Sequence, residues 1–186
     1  MKINKLEGIN ILRVFLLPTV KLIDLNKLLN SDKKIDDDLS IRLSPKKNGQ
    51  NVFLPSIHNI KNKDDIKIFI KEYSKYYNIF AHKTVKPELI GTASRLETYN
   101  KCELYMETYK DWDKRKSQTI FNGIIIPAFR DRFFLSYSKM MRKNEEDRIS
   151  FMKVLMHLRK LPFETYNVEY AIEDGNIIFS ELVLYY

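Results

Sequence analysis

The sequence predicts an α+β fold, in which helices pack on one face of a largely antiparallel sheet. Three segments space their apolar residues at helical intervals: residues 20–29, a segment that begins at residue 62 or 63, and residues 145–160. Most other apolar runs are short and either alternate or contain β-branched residues, which indicates strands. Near the end of the chain, Asp174 and Gly175 separate two apolar runs, a strong signal for a β-hairpin. The predicted order is β α β β α β, then several antiparallel strands, a helix and the closing hairpin.

The first half of the chain combines short strands with two helices. Residues 13–17 are apolar and partly β-branched and precede a proline, which predicts a strand. Thr19 is a suitable N-cap for a helix over residues 20–29. Asn62 or Lys63 begins the next helix, because two aspartates follow in the first turn, where the helix dipole favours acids. Strands are predicted over residues 39–43, 51–54 and 78–85, and polar loops over residues 30–38 and 44–50.

The second half is dominated by strands. Residues 102–109 alternate between apolar and polar side chains, which is typical of a half-buried strand. Asn144 is a suitable cap for the helix over residues 145–160, which ends before Pro162. Further strands are predicted over residues 91–96, 119–127 and 130–137, a charged loop over residues 111–117, and hairpin arms over residues 166–172 and 176–186.

Length and composition restrict the class of protein. The chain has 186 residues, of which 44% are hydrophobic and 30% charged, a balance typical of a globular domain. We expect one domain over residues 1–186, with a small lobe over residues 1–80 and a larger lobe over residues 81–186. Cys102 is the single cysteine, which excludes an internal disulfide and a cysteine-based zinc cluster. The sequence has no signal-peptide pattern and no apolar run of about 20 residues, so we expect a soluble cytoplasmic protein without membrane association.

The positive charge is unevenly distributed along the chain. The formal net charge is +8, yet residues 161–186 contain five acidic and no basic side chains. Residues 110–160 contain 13 basic and 6 acidic side chains. A basic segment indicates a polyanionic partner, such as nucleic acid, nucleotide phosphates or a membrane surface. Lysine-rich faces that only keep the protein soluble are the alternative.

Aromatic side chains are interleaved with the cations of residues 110–143, among them Trp112 and Phe129. This combination suits single-stranded nucleic acid, which is bound through phosphate contacts and base stacking. The alternative is that the aromatic residues alternate within strands and form the core. No ribonucleoprotein motif, KH loop or zinc finger is present in the sequence.

The closing hairpin carries two acids that could bind a metal ion. Glu169 and Glu181 lie 12 positions apart, one on each arm. Mg²⁺ is usually bound by one or two carboxylates together with phosphate oxygens. A strict two-residue turn pairs Glu169 with Ser180, so Glu181 faces away, whereas a one-residue bulge aligns the two acids. Exposed acids on an edge strand are the alternative interpretation.

Arg42 is a single arginine within the apolar run of residues 39–43. A guanidinium group that projects from a strand can bind phosphate through two parallel hydrogen bonds. Lys46 follows on a turn-rich loop, which suits anion contact. An ion pair between Arg42 and a nearby carboxylate is the alternative. The three histidines are scattered, and a lone histidine such as His82 or His157 is more often packed than catalytic.

Taken in order, four segments resemble the nucleotide-binding domain of the ATP-grasp superfamily, in the version of phosphoenolpyruvate synthase and pyruvate phosphate dikinase. Residues 6–10, which lead into residues 13–17, resemble the opening of that domain. Residues 39–44 resemble its V-R-S-S strand, and residues 80–91 resemble the strand that lines the adenine pocket. Residues 161–181 resemble the closing hairpin, which is the most specific part of the likeness.

The resemblance implies a two-lobed ATP-grasp-like fold with ATP and Mg²⁺ as cofactors. It implies a transferase or ligase that moves a phosphoryl group to an unidentified acceptor or activates a carboxylate as an acyl phosphate. Arg42 matches the arginine that contacts the phosphates. The resemblance also implies a phosphate-binding lysine at Lys46 or Lys83, with Arg42 and Lys46 as the catalytic pair. It implies an adenine site lined by His82, Lys83 and Val85. Its metal ligands would be Glu169 and Glu181.

Several features of the sequence depart from that family pattern. The Gly-rich lysine segment of the family has no counterpart, Asn167 stands where the family has Asp, and Val183 stands where it has Arg. The length excludes a complete dikinase. We therefore expect a reduced ATP-grasp enzyme, a subunit that needs a partner, or a catalytically inactive interaction protein. A non-enzymatic module for single-stranded nucleic acid remains the alternative function.

Overall fold

The computed structural model describes residues 3–32, 34–35, 38–46, 54–98, 101–109, 124–129, 132–133 and 145–184. The helices are α1 (Lys5–Val14), α2 (Leu25–Leu29), α3 (Lys63–Tyr73) and α4 (Glu145–Leu158). The strands are β1 (Leu22–Ile23), β2 (Leu39–Pro45), β3 (Ser56–Ile60), β4 (Tyr77–Lys83), β5 (Leu89–Thr98), β6 (Lys101–Tyr109), β7 (Ile124–Phe129), β8 (Arg132–Phe133), β9 (Tyr166–Glu173) and β10 (Asn176–Leu184). The predicted α+β class with antiparallel strand pairing is confirmed. Within the described ranges, no helix combines the length and apolar character that a membrane crossing needs.

The strands form a small sheet and a large sheet. The small sheet has the order β1-β4-β2-β3, and the large sheet has the order β10-β9-β5-β6-β7-β8. The chain passes from one sheet to the other in the segment between β4 and β5. The bulk of the predicted nucleic-acid segment, residues 110–143, lies outside the described residues, apart from β7 and β8.

Alternation along β2 gives the small sheet one apolar and one polar face. Leu39, Ile41 and Leu43 are buried in a core to which α3 contributes Ile66 and Phe69. Successive side chains of a strand point to opposite faces, so Ser40, Arg42 and Ser44 lie on the other face. In the large sheet, the corresponding core joins α1 and α4 to buried side chains of β9 and β10, including Leu12, Val154, Leu158, Val168, Phe179 and Leu182.

The strand predicted over residues 13–17 is wrong, because Arg13 and Val14 form the end of α1 and the next two residues form a turn. Asn4 caps α1 by accepting a hydrogen bond from the Glu7 amide at 2.9 Å, and the Glu7 carboxylate accepts one from the Asn4 amide at 2.8 Å. Such a reciprocal capping box stabilises a helix start, and Ile9 and Leu12 bury its apolar side. The local apolar character of residues 13–17 is therefore overridden by a cap that lies nine residues upstream.

Two further elements differ from the prediction. The helix predicted over residues 20–29 is restricted to α2, since Asp24 caps it by accepting from the Lys27 amide at 3.1 Å and the residues before Asp24 form β1. β2 pairs with β4 and with β3, which was not predicted, and residues 51–53 of the strand predicted at residues 51–54 lie outside the described residues. The closing hairpin is confirmed: Asp174 and Gly175 have φ values of 51° and 69°, as a type I′ turn requires.

Candidate functional site

A cavity of about 470 Å³ lies between the two sheets. The small sheet contributes Ser40, Arg42, His58 and His82, and the large sheet contributes Ile90, Glu169, Ala171 and Ile178. Residues 84–87, which join the sheets, close one side. The cavity therefore brings together residues that the sequence places far apart.

The apolar part of the cavity wall comes from a small cluster between the sheets. Val20 and Phe80 are buried in this cluster, and Val85 and Ile178 pack against it. Val20, Val85 and Ile178 also line the cavity. Their aliphatic side chains suit the faces of a flat ring, which is the kind of lining that small-molecule sites use for most of their contact area.

A bulge in β3 shapes the polar part of the small sheet. Ile57 pairs with Ile41 and Ile60 with Leu39, so two residues of β3, His58 and Asn59, oppose one residue of β2. Asn59 absorbs the irregularity with a φ of 57°. As a result the His58 ring reaches the cavity, where its Nδ1 lies 2.9 Å from the hydroxyl of Ser40.

Arg42 has a buried Nε with no hydrogen-bond partner among the described residues. An unpaired buried donor is costly, so this nitrogen favours a ligand with acceptor oxygens. Burial lowers the pKa of His58 and His82, and the guanidinium charge of Arg42 acts in the same direction. Burial raises the pKa of Glu181, and the same charge opposes that rise. Arg42 therefore supplies the positive charge of the cavity from the small sheet.

Glu169 and Glu181 are directly opposite each other on β9 and β10. Phe179 pairs with Tyr170, and the register then shifts by one residue, so that Ser180 forms a bulge. Directly opposed residues of an antiparallel pair share one face of the sheet. Because Glu169 lines the cavity, the bulge brings Glu181 to the same side.

The carboxylate of Glu181 forms an ion pair with Lys5, a residue that was not predicted to belong to the site. Lys5 Nζ lies 3.0 Å from Glu181 Oε2, and the two side chains are only 16% and 11% exposed. Burial raises the pKa of Glu181 and the neighbouring Glu169 charge raises it further, whereas Lys5 and Arg42 oppose this. A lysine in the first turn of a helix is disfavoured by the helix dipole, and this was the one local signal for a special role of Lys5.

His82 is buried and neutral. Its Nδ1 lies 2.7 Å from the carbonyl oxygen of Lys83. Burial lowers the pKa of His82 to about 4, and the charges of Arg42 and His58 act in the same direction, whereas the hydrogen bond to the Lys83 carbonyl opposes them. The side chain is therefore held in one orientation without a charge.

The predicted site residues fall into two groups. Arg42, His82, Val85 and Glu169 line the cavity, and Glu181 lies beside Glu169. Lys46 and Lys83 are not among the cavity residues: Lys46 Nζ donates to the Ser74 carbonyl at 2.6 Å, and Lys83 has an exposed side chain on the opposite face of β4 from His82. The lysines that the structure brings to the site are Lys5 and Lys86.

Lys86 joins the two sheets at the edge of the cavity. Its Nζ lies 3.2 Å from an Asp38 oxygen at the start of β2, and its backbone amide donates to Glu173 Oε1 at 2.6 Å. Lys86 and Lys61 hold the pKa of Asp38 below its usual value. Because Lys86 directly follows Val85, its place near the site could have been predicted from the sequence.

Two carboxylates suit one kind of metal site. No group of three or more histidine, cysteine, aspartate and glutamate side chains with metal-ligand geometry occurs in the described part of the chain. Mg²⁺ does not need such a cage, because it keeps several waters and is commonly held by one or two carboxylates and by phosphate oxygens. Glu169 and Glu181 therefore fit an ion that shares its ligands with a bound phosphate group.

Comparisons with known proteins show similarity to solved structures. No protein-family model and no curated protein sequence matches the chain. The chain is similar to N5-carboxyaminoimidazole synthetase from Staphylococcus aureus complexed with ADP, at 12% identity and a TM-score of 0.56, over 97% of this chain and 44% of that one. It is similar to D-alanine-D-alanine ligase from Helicobacter pylori, at 9% identity and a TM-score of 0.61, over 97% and 53%. It is also similar to ATP citrate lyase from Methanothrix soehngenii in complex with citrate and coenzyme A, at 12% identity and a TM-score of 0.63, over 98% and 50%.

These solved structures are ATP-grasp enzymes, and the chain shares their fold. The chain spans about half the length of each. The predicted ATP-grasp-like architecture is therefore confirmed at the level of the fold. The finer likeness to phosphoenolpyruvate synthase stays a prediction.

Proposed function

We propose that this chain is an ATP- and Mg²⁺-binding domain that transfers the γ-phosphoryl group of ATP to a carboxylate of an acceptor substrate. One observation carries the proposal: Glu169 and Glu181 are aligned by a bulge at the wall of a cavity whose opposite wall holds the Arg42 guanidinium. Two carboxylates and an arginine across one cavity form the minimum set for a metal-bound polyphosphate.

The cavity offers each part of a nucleotide a suitable surface. Its volume of about 470 Å³ lies in the range of small-molecule sites. The base packs between aliphatic side chains such as Val85 and Ile178, next to His82. The phosphates lie toward Arg42, whose unpaired Nε gains an acceptor oxygen. Lys5 supplies a second positive charge next to Glu181.

Glu169 and Glu181 hold the metal ion in this proposal. When bound, Mg²⁺ neutralises phosphate charge and polarises the transferred phosphoryl group. The chain's own contribution is to position the two carboxylates on one face of the hairpin and to bury Glu181. Positioning and charge stabilisation account for most of the catalysis of phosphoryl transfer.

The proposed reaction forms an acyl phosphate. A carboxylate oxygen of the acceptor attacks the γ-phosphorus of ATP, the bond from that phosphorus to the β–γ bridging oxygen breaks, and ADP leaves. Arg42 stabilises the charge on the phosphate oxygens. A second nucleophile then attacks the acyl carbon, the bond from this carbon to the phosphate oxygen breaks, and inorganic phosphate leaves, which completes a ligation. Ligase and synthetase activities in the solved neighbours favour this route over transfer to other acceptors.

Thermal unfolding with ATP alone, Mg²⁺ alone and both together tests the proposal. A ligand at about 100 times its dissociation constant adds about 2.7 kcal/mol, which for a chain of this size raises the melting temperature by roughly 5–10 °C. We expect the full shift only when both ligands are present. Absence of any shift with ATP and Mg²⁺ contradicts the proposal and favours an inactive interaction protein.

Charge-neutral variants assign the metal ligands. Glu169→Gln and Glu181→Gln should keep the far-ultraviolet circular dichroism of the wild type but lose the Mg²⁺-dependent part of the shift and all nucleotide turnover. Glu164→Gln is the matched control, because Glu164 is an exposed acid just before the same hairpin. Full ATP turnover by either site variant overturns the assignment.

A further inference from the structure

The cavity holds two histidines whose ring nitrogens are used differently. In His58, Nδ1 lies 2.9 Å from the Ser40 hydroxyl and Nε2 lies 3.1 Å from the Ser56 hydroxyl. In His82, Nδ1 lies 2.7 Å from the Lys83 carbonyl, whereas Nε2 has no hydrogen-bond partner among the residues that the structure describes. His82 is therefore the histidine whose second nitrogen is left for a ligand.

The contact with Lys83 determines which hydrogen-bonding role that nitrogen has. A carbonyl oxygen only accepts hydrogen bonds, so Nδ1 of His82 carries the proton. Burial keeps the ring neutral, since it lowers the pKa of His82 to about 4. A neutral imidazole with a protonated Nδ1 has a lone pair on Nε2. His82 therefore presents an acceptor, and no donor, to its surroundings.

The position of His82 relates this acceptor to a nucleobase. His82 lies on the cavity face of β4, three residues before Val85, whose aliphatic side chain also lines the cavity. Leu22 and Ser40 flank it on the neighbouring strands. A flat base that packs on the aliphatic wall therefore occupies the same cavity as the ring of His82.

We propose that His82 selects the nucleobase, with Nε2 accepting a hydrogen bond from the 6-amino group of adenine. This inference rests on the proposed function, because it assumes that a purine nucleotide occupies the cavity. A purine with an oxygen at position 6 places an acceptor against an acceptor. Both groups then lose their hydrogen bonds to water without replacement, which a buried site penalises strongly.

Three nucleotides that differ at position 6 test the selection. ATP carries an amino group there, purine riboside triphosphate carries hydrogen, and inosine triphosphate carries oxygen. Dissociation constants of the full chain with Mg²⁺ should increase in that order, by about fivefold in the first step and by about tenfold or more in total. Equal affinity for ATP and inosine triphosphate overturns the inference and leaves the proposed function standing. Failure of all three to bind overturns both.

Two variants separate base selection from a structural role. His82→Gln supplies an amide that can donate or accept, so the preference for ATP over inosine triphosphate should fall to about threefold or less. His82→Leu removes the acceptor and should weaken ATP binding while leaving inosine triphosphate nearly unchanged. His58→Gln is the matched control in the same cavity and should keep the wild-type preference. A wild-type preference in a folded His82→Gln protein contradicts the proposal.

Nitrogen-15 chemical shifts of the histidine rings give a readout that does not depend on binding. In the free protein at neutral pH, His82 should show the Nδ1-protonated tautomer, and its Nε2 shift should move on addition of ATP but not of inosine triphosphate. The opposite tautomer in the free protein overturns the inference, because Nε2 would then be a donor.

Discussion

Glu181 lies directly opposite Glu169 in the closing hairpin because β10 contains a one-residue bulge at Ser180. In a regular ladder after the two-residue turn, Ser180 would occupy that position and Glu181 would face the apolar side of the sheet, together with Phe179. The bulge thus avoids a buried carboxylate in the core and joins two acids on one face. It also allows Lys5 to reach Glu181 from α1.

Removal of the Lys5 charge should increase the affinity of the hairpin for cations. In Lys5→Met the apolar stem stays, but Glu181 loses its buried partner and remains next to Glu169. We expect the free energy of unfolding to fall by about 1–3 kcal/mol, and Mn²⁺ to bind more tightly in the absence of nucleotide because no ammonium group competes for Glu181. Urea unfolding and electron paramagnetic resonance of free Mn²⁺ measure the two effects. Lys21→Met, at an exposed lysine, should change neither, and an unaltered Mn²⁺ affinity in Lys5→Met contradicts the competition.

A methyl group at Gly8 should separate α1 from β10. A Cβ atom at this position would lie 2.6 Å from the Leu182 carbonyl oxygen and 3.2 Å from its amide nitrogen. Backbone atoms of a paired strand give way less readily than a side chain, so we expect Gly8→Ala to cost about 1–3 kcal/mol, despite the higher helix propensity of alanine. The melting temperature measures the loss of stability, and the chemical shift of Lys5 measures the displacement of α1 from β10. Asn10→Ala, at an exposed position of the same helix, should be neutral or stabilising, and equal behaviour of the two variants would exclude the close packing.

The charge of Arg42 should be detectable in the titration of the two cavity histidines. Burial lowers the pKa of both His58 and His82, and the guanidinium charge lowers it further, so Arg42→Gln should raise both pKa values in a proton NMR titration. The same variant should bind ATP at least about tenfold more weakly, since it loses a charge-assisted contact with phosphate. Lys46→Gln removes a cation from the end of the same strand, where it contacts the Ser74 carbonyl. The Lys46→Gln variant should leave both histidine pKa values and the affinity for ATP unchanged. If the histidine pKa values do not change in Arg42→Gln, the guanidinium does not lie near the two rings.

Acidification should destabilise the fold through its buried histidines. The pKa of His82 is lowered from 6.5 to about 4, so between these pH values the unfolded chain binds more protons and the free energy of unfolding falls as the pH falls. His82 alone should contribute a loss of about 1 kcal/mol between pH 7 and pH 5.5. Burial lowers the pKa of His58 and His157 in the same direction, whereas the raised pKa of Glu181 opposes the trend.

Urea unfolding at the two pH values checks this dependence. The loss of stability should be smaller in His82→Gln than in the wild type, because glutamine does not titrate. Identical losses in the two proteins would show that His82 is not held neutral in the folded state.

Short-range patterns predicted several elements of the fold correctly. Asn62 caps α3 by accepting a hydrogen bond from the Asp64 amide at 2.9 Å, and the Asp-Gly turn closes the hairpin as expected. Such elements depend on residues within a few positions of one another, so their signals are complete in the local sequence. Helix α1 was not predicted, because the apolar run of residues 13–17 was interpreted as a strand. Its close packing through Gly8 involves Leu182, which lies far along the chain.

Local composition was sufficient to establish the α+β class, the closing hairpin and the residue types that suit phosphate and metal chemistry, namely Arg42, Glu169 and Glu181. The assembly of the site depended on long-range packing. Partners on different strands or helices determine the bulges at Asn59 and Ser180 and the ion pair between Lys5 and Glu181. The same is true of the lysines near the cavity, which are Lys5 and Lys86 instead of Lys46 and Lys83. A shift of one residue in strand register reverses the face on which a side chain lies, and the packing of two sheets and a helix against each other selects that register.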